Sequence, residues 1–300
     1  MKRASIDLHI HPFLFNGKNE LEDILRVMKT NSLDVIGLGE LDHNIYSKLL
    51  GRADKIQGIK HDNLGFVIND NGSSRYIFPF TEYNTSNGKG LQILTTGYNY
   101  DCARPESEAE EIIESALEYK ELSGNEVLIG LDHPYADNGT RTAGHISEEK
   151  EKELEELCRK YSGKVYIEWN GYSNLLLRAG LRLGLSLIGN KIDYHDINKP
   201  AEELSLRLSN ENVNVPIVPD TDLHARNKRH LKIMGTSKII SDIEGESPQE
   251  VISSISKNIF SGNYSSIKKY VSAFNVLETY CIPLALNEIS KNILFKRPRS

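Results

Sequence analysis

Cysteine is scarce. The chain of 300 residues has only Cys102, Cys158 and Cys281, and no CxxC pair. No disulfide framework is expected, and the pattern fits a reducing, cytoplasmic setting. A long apolar run is also missing. The most apolar late stretch, residues 271–286, is interrupted by Asn275, Glu278 and Pro283. It is too short and too polar to span a bilayer. No secretory leader is read at Met1-Lys2-Arg3, which runs straight into a mixed polar and apolar segment. Cationic excess is absent too: 36 Lys and Arg face 42 Asp and Glu, for a formal net charge of −6 with histidines neutral. On this balance long duplex nucleic acid is not a favoured partner. A small anionic substrate gripped by a few local cations is compatible with it. No internal repeat, low-complexity tract or Pro/Gly/Ser-rich linker divides the chain. The length suits one large α/β domain or two small ones.

What is present is a regular alternation of strand-like and helix-like segments. Residues 5–10 read as a buried strand, and residues 19–29 carry Leu21, Ile24, Leu25 and Met28 at helical spacing. Residues 34–38 form a short apolar strand. Strands over 64–68 and 76–80 flank Asp70-Asn71-Gly72, the signature of a hairpin. Further strands are predicted over 91–96, 127–131, 165–169, 185–188 and 215–218. Helices are predicted over 106–122, 147–161 and 175–183, and after Pro200. Ser247-Pro248-Gln249-Glu250 is a capping box with proline at the first helical position, opening a helix that stops at Ser261-Gly262. Such alternation implies a mainly parallel sheet, open or closed into a barrel.

The polar residues favour the barrel. Asp7, His9 and His11 alternate in the first strand and so share one face, with Leu8 and Ile10 on the other. Two imidazoles at i and i+2 can reach one cation, and imidazole is a common ligand for zinc-like metals. His11, His43, Glu82, His133 and Asp222-Leu223-His224 all fall at or just past the end of a predicted strand. α/β barrels carry their active sites at that end, whereas a doubly wound sheet gathers them near one switch point. Asp220, Asp222 and His224 also alternate. Mixed imidazole and carboxylate ligation suits zinc, manganese or iron.

His9-Ile10-His11, Asp42-His43, Glu82, Asp132-His133-Pro134 and Asp222-Leu223-His224, in this order and spacing, resemble the PHP family, named for polymerase and histidinol phosphatase. The resemblance covers roughly residues 5–262. It implies a distorted seven-stranded β/α barrel over residues 1–264 and a cluster of one to three divalent metals that hydrolyses phosphoesters. Residues 265–300 are expected to form a helical extension broken near Pro283, with Val271, Phe274, Leu277 and Ile282 on its packed face. The resemblance makes His9, His11, Glu82 and Asp222 ligands of a first metal. Glu82 would bridge to a second ion held by His133, and His43 with His224 would hold a third. Two positions depart from the family pattern. Asn16 stands where an acidic or histidine ligand is usual, and Gln92 where a histidine is usual. His145 or His195 are possible substitutes.

The implied activity is hydrolysis of a small phosphomonoester or phosphodiester by attack of metal-bound hydroxide. His224 or His195 would protonate the leaving alkoxide. Arg141, Arg226 and Lys228 are the candidate phosphate-gripping cations, with solvated charge as the plainer reading. Asp7 either orients a histidine or is a solvated strand-end carboxylate. Glu168 lines the pocket beside Trp169 and Asn170. His61 and His230 read as surface residues. Two rival functions stand beside the phosphoesterase. One is a barrel that binds metal or ligand without turnover, motivated by Asn16 and Gln92. The other is a nuclease acting on oligonucleotide ends, for which Tyr135, Trp169 and Tyr172 are candidate stacking residues.

Overall fold

The computed structural model describes residues 1–12, 20–41, 45–70, 72–85, 91–97, 107–136, 146–172, 196–225, 227–276 and 278. Local chemistry sets the helix ends. Helix α1 (Leu21–Thr30) opens on a reciprocal box between Glu20 and Asp23. Helix α2 is Tyr46–Ala53. Helix α3 (Ala109–Ser123) has a similar box from Glu108 and Glu111 and stops at Gly124, in the left-handed region with φ 69°. Ser147 caps helix α4 (Glu148–Lys160). Helix α5 (Asn198–Asn210) takes Pro200 in its first turn, where the missing N–H costs nothing. Helix α6 (Pro248–Ser261) carries the expected capping box and ends at Gly262.

The strands are β1 (Lys2–Asp7), β2 (Ile10–His11), β3 (Val35–Leu41), β4 (Ile59–His61), β5 (Phe66–Asp70), β6 (Ser73–Asn84) and β7 (Gln92–Thr96). They continue as β8 (Leu128–Asp132), β9 (Val165–Asn170), β10 (Ile217–Asp220), β11 (Leu223–His224), β12 (Lys238–Ile243) and β13 (Tyr264–Ile267). One sheet follows the path β10-β9-β8-β7-β6-β3-β1-β12-β13, with β4 and β5 appended beside β6. The path curls until its ends meet, and the Tyr264 hydroxyl of β13 donates to the Ile217 carbonyl of β10 at 2.8 Å. The barrel is thus nearly closed.

Two expectations are corrected. The continuous path has nine strands, not seven, because β12 and β13 extend the sheet beyond β1. The sheet is also mixed. β1–β3, β3–β6, β8–β9 and β9–β10 are parallel, whereas β6–β7, β7–β8, β1–β12 and β12–β13 are antiparallel. The short β6–β7 connection allows only antiparallel pairing. The predicted hairpin is present as β5–β6. The expected barrel boundary at residue 264 falls on the first residue of β13, so the sheet continues beyond it. Val271 is buried, Phe274 is exposed, and residues 279–300 of the expected extension lie outside the described residues. So do the predicted helix over 175–183 and strand over 185–188.

Period-two alternation divides each strand between core and helices. Val165 and Ile167 of β9 join Ile129 and Leu131 of β8 in a cluster with α3, α4 and α5. Tyr166, Leu128, Leu94, Phe80, Val218 and Leu8 meet in the barrel interior, closed below by Val251, Ile252, Ile255 and Ile259 of α6. Each such side chain contributes roughly 1.5–3 kcal/mol on burial. Continuing the same parity towards the other end of each strand gives Glu82, Gln92, Asp132, Glu168 and Asp220, all buried. The interior is therefore apolar at one end and acidic at the other. β7 is antiparallel, so it contributes its first residue, Gln92, where its neighbours contribute their last ones.

Glycine is required where β3 passes β1. A Cβ on Gly37 would lie 1.9 Å from the Leu8 carbonyl oxygen, a backbone atom that has no room to yield. Gly37→Ala is expected to destabilise the protein by about 2 kcal/mol or more in denaturant unfolding. Gly51→Ala in α2, where a Cβ meets nothing within 4 Å, is expected to stabilise it by about 0.5–1 kcal/mol.

Candidate metal centre

Four donor atoms converge at the acidic end of the barrel. His9 Nε2 and His11 Nε2 are 2.8 Å apart. Glu82 Oε2 lies 3.0 Å from His11 Nε2 and 3.7 Å from His9 Nε2, and Asp222 Oδ1 lies 3.8 and 3.6 Å from the same atoms. Ligands about 2.0–2.2 Å from one tetrahedral ion are separated by roughly 3.3–3.6 Å. The five edges bracket that value: His9, His11 and Glu82 form one group of candidate donors, and Asp222 reaches both imidazole nitrogens.

Each donor is fixed from behind. His11 Nδ1–H donates to the Gly39 carbonyl at 3.2 Å, and His9 Nδ1–H donates to Glu168 Oε1 at 3.0 Å. Both rings therefore turn Nε2 to the centre, where a bound cation would take the place of any Nε2 proton. Gln92 Nε2 donates to Glu82 Oε1 at 2.5 Å and to Asn84 Oδ1 at 3.0 Å. Asn170 Nδ2 donates to Asp222 Oδ2 at 2.6 Å. Asn170 is itself locked by a two-way backbone bridge to Asn198 at the start of α5.

Backbone strain and a small ladder complete the framework. Asp222 has φ 47° and His133 φ 20°, both rare for residues with a Cβ. The turn at Asp222 separates Asp220, inside the barrel, from Asp222 at its mouth. β2 and β11 pair in parallel, Leu223 with Ile10 and His224 with His11, and so hold the first and last motifs side by side. Asp7 does not point at the histidines. It is fully buried and accepts from Thr221 N at 3.0 Å, Thr221 Oγ1 at 2.6 Å and Gly235 N at 2.7 Å. Burial outweighs these bonds and pushes its carboxyl up to about 6. Asp7 is thus a clamp on the loop that carries Asp222.

Two further groups flank the first. His224 Nε2 is 3.2 Å from Asp222 Oδ1, and its ring stacks on His11 with centroids 4.6 Å apart. His11, Asp222 and His224 offer one donor atom each, all within 4.8 Å of one another, and Glu82, Asp132 and His133 do the same. The backbone N–H of His133 donates to Glu168 Oε2 at 2.7 Å. The electrostatics are those of concentrated buried charge. Burial opposes the imidazolium of His9, but Asp132, Asp222 and Glu168 outweigh it and hold its pKa well above the usual value. Burial and the neighbouring Glu168 charge push Asp132 and Asp220 well above the usual carboxylate range. Burial also lowers His11, keeping it neutral for ligation. Asp132, Asp220 and Asp222 retain buried oxygens without a hydrogen-bond partner. Such oxygens, beside convergent imidazole nitrogens, fit divalent cations.

The sequence candidates are placed unevenly. The structure brings together His9, His11, Glu82, His133, Asp222 and His224. Lys228 instead pairs with Asp23 of α1 at 2.7 Å. Asn16, His43, Arg141, His145, His195 and Arg226 lie outside the described residues. Tyr135 and Trp169 are buried, the latter with its ring centroid 4.8 Å from that of Tyr270. Tyr172 alone of the three aromatics is half-buried, edge-on to His224 at 6.2 Å. His61 is exposed, as expected, but His230 is buried with only 3% exposure, which corrects its reading as a surface residue. The turn His230–Ile233 tucks it inward between exposed Arg229 and Lys232. Asp220 was expected to share a face with Asp222 and His224, but the left-handed turn at Asp222 breaks the alternation, and Asp220 and Asp132 are both inward-facing groups. Their signal is parity with Leu128 and Val218 on the same strands.

No protein-family model and no curated protein matches the chain. Solved structures do. PsfC from Pseudomonas syringae aligns with TM-score 0.55 at 16% identity, over 95% of this chain and 100% of PsfC. A two-domain protein from Bacteroides vulgatus, containing a predicted PHP-like metal-dependent phosphoesterase, aligns with TM-score 0.51 at 12% identity, over 89% of this chain. The chain shares its fold with these proteins. The lesion-specific endonuclease PfuEndoQ from Pyrococcus furiosus aligns with TM-score 0.51 at 16% identity, over 88% of this chain. This chain spans 58% of that endonuclease and 65% of the two-domain protein.

The endonuclease corrects one expectation. Net negative charge disfavours long duplex nucleic acid as a partner, yet a barrel of this fold also occurs in a lesion-specific endonuclease. Overall charge does not decide the partner, because contacts to phosphate are local. Among the described residues no helix is long and apolar enough to cross a membrane.

Metal binding is expected to couple to stability. At free Mn2+ or Zn2+ one hundred times the dissociation constant, unfolding should cost about 2.7 kcal/mol more than in chelator. Denaturant titrations with and without chelator measure the difference.

Proposed function

We propose that this chain is a metal-dependent phosphoric ester hydrolase. The observation that carries the reading is the convergence of His9 Nε2, His11 Nε2, Glu82 Oε2 and Asp222 Oδ1 at tetrahedral spacing. These four would hold the first ion. Glu82 and His133 would hold a second, and Asp222 with His224 would share in a third, to which the family resemblance adds His43. Zinc, manganese and iron suit the mixed donors. When bound, such ions supply an activated water and stabilise charge on the phosphoryl oxygens.

The chain's own groups set the geometry around that chemistry. Gln92 holds Glu82 with one oxygen turned to the histidines, and Asn170 does the same for Asp222. Glu168 fixes His9 and the backbone of His133 together, so two ligand groups share one brace. His224 lies at the mouth with its side chain 26% exposed. Its Nε2 is placed to give a proton to a leaving alkoxide when it is not engaged by metal. A second reading, hydrolysis within nucleic acid, is supported by the edge-on placement of Tyr172 beside His224, where a splayed base can stack.

Asp222→Asn is expected to lower hydrolysis of a phosphoester on the order of 100-fold or more, because one anionic donor is lost. Mn2+-loaded wild type and variant should be assayed on p-nitrophenyl phosphate, bis-p-nitrophenyl phosphate, a single-stranded oligonucleotide and an abasic duplex. Turnover of the first two alone favours a small substrate, and turnover of the last two favours the nuclease. Bound metal without turnover of any would overturn the hydrolase in favour of a binding barrel.

A further inference from the structure

Below the convergence point, on the Nδ1 side of His9, lies a second layer of acid. Asp132 Oδ1 is 3.3 Å and Glu168 Oε1 3.0 Å from His9 Nδ1. Donor atoms of Glu168 and Asp220 lie with a His9 nitrogen within 4.8 Å of one another. Asp132 and Asp220 end β8 and β10, Glu168 lies two residues before the end of β9, and all three are at most 1% exposed. Glu168 is satisfied by His9 and by the His133 N–H. Asp132 and Asp220 are not: both oxygens of each are buried without a hydrogen-bond partner.

An independent group faces the same layer. Tyr166, one step inward from Glu168 on β9, is fully buried, and its hydroxyl has no partner. Gly130, one step inward from Asp132, leaves the space it needs, since a Cβ there would be 2.8 Å from the Tyr166 hydroxyl. Burial first, then the charges of Asp220, Glu168 and Asp132, pushes the phenol well above its usual value. Beside Gly130 the hydroxyl thus lies one step below Asp132, and it stays protonated.

We infer that Asp132, Glu168 and Asp220, with the Tyr166 hydroxyl beneath them, form an inner site for a hard divalent cation, distinct from the mixed imidazole and carboxylate centre above. An oxygen-only donor set selects the magnesium, manganese and calcium class over zinc. His9 is the wall between the two sites. Its Nε2 serves the outer centre, and its Nδ1–H stays on Glu168, so it is not an inner ligand. Three carboxylates out of reach of water are held together at low cost only when their charge is neutralised. A cation does this while using the orphaned oxygens of Asp132 and Asp220 together. The site does not depend on catalysis.

The test counts metal. Wild type, Asp220→Asn, Asp222→Asn and the double variant are loaded with Mn2+, freed of excess by gel filtration and assayed by atomic emission. Asp220→Asn is expected to hold one equivalent fewer than wild type, and the loss should add to that of Asp222→Asn in the double variant. An unchanged count in Asp220→Asn overturns the inner site and shows that shared protons neutralise the layer. Loss in Asp220→Asn with no loss in Asp222→Asn would uphold the inner site and overturn the outer one, so the two readings fail separately. Should Asp220→Asn not fold by circular dichroism, Tyr166→Phe replaces it. On the order of tenfold weaker binding of one Mn2+ equivalent is expected, and unchanged affinity for every equivalent overturns the inference.

Discussion

Carboxyl groups packed into the mouth end of a barrel are the constraint on which the rest of this structure depends. Glu82, Asp132, Glu168, Asp220 and Asp222 are all buried there. Taking one carboxylate out of water costs several kcal/mol even after relaxation. No fold gathers that many by accident of packing. The apolar floor of Tyr166, Val218, Leu128 and the α6 residues beneath them supplies the burial energy that makes the arrangement tolerable.

Geometry follows from strand parity and from a few clamps. Alternation puts apolar side chains and ligand candidates on the same inner face, one step apart. Where parity alone would misdirect a side chain, the backbone is forced, at His133 and Asp222. The forcing is held by hydrogen bonds that end on backbone N–H groups: Asp7 on Thr221 and Gly235, Glu168 on His133. Carboxylates with the lowest access to water thus do two jobs. Some face the centre, and others keep the strained loops from relaxing.

Much of the outer centre was legible in the sequence, because histidines and carboxylates at strand ends keep their meaning without coordinates. The family resemblance names His9, His11, Glu82, His133, Asp222 and His224 as ligands, and the structure brings them together. The inner layer was not legible. Asp132 and Asp220 look like ordinary members of Asp-His-Pro and Asp-Thr-Asp runs until the parity of β8 and β10 is known. Gln92 reads as a depleted ligand, yet its amide is the donor that steadies Glu82. That role depends on β7 running antiparallel, a long-range pairing that no local pattern encodes. β12 escaped for the same reason: its mixed residues become a strand only through β1 and β13. His230 was misread because charged neighbours say nothing about which way a short turn rotates its first side chain.

The small ladder between β2 and β11 has a consequence in time. It joins the first motif of the chain to the last, and the Asp7 clamp closes a loop of 214 residues to Thr221. Contacts of such long range form late, after the local helices and hairpins. During synthesis His9 and His11 emerge early but have no Asp222 or His224 to meet, so the nascent chain exposes only a weak, open pair of imidazoles. The outer group therefore assembles only after residues 222–224 have emerged and β11 has paired with β2, and a cation that fits the complete set would gain its grip only then.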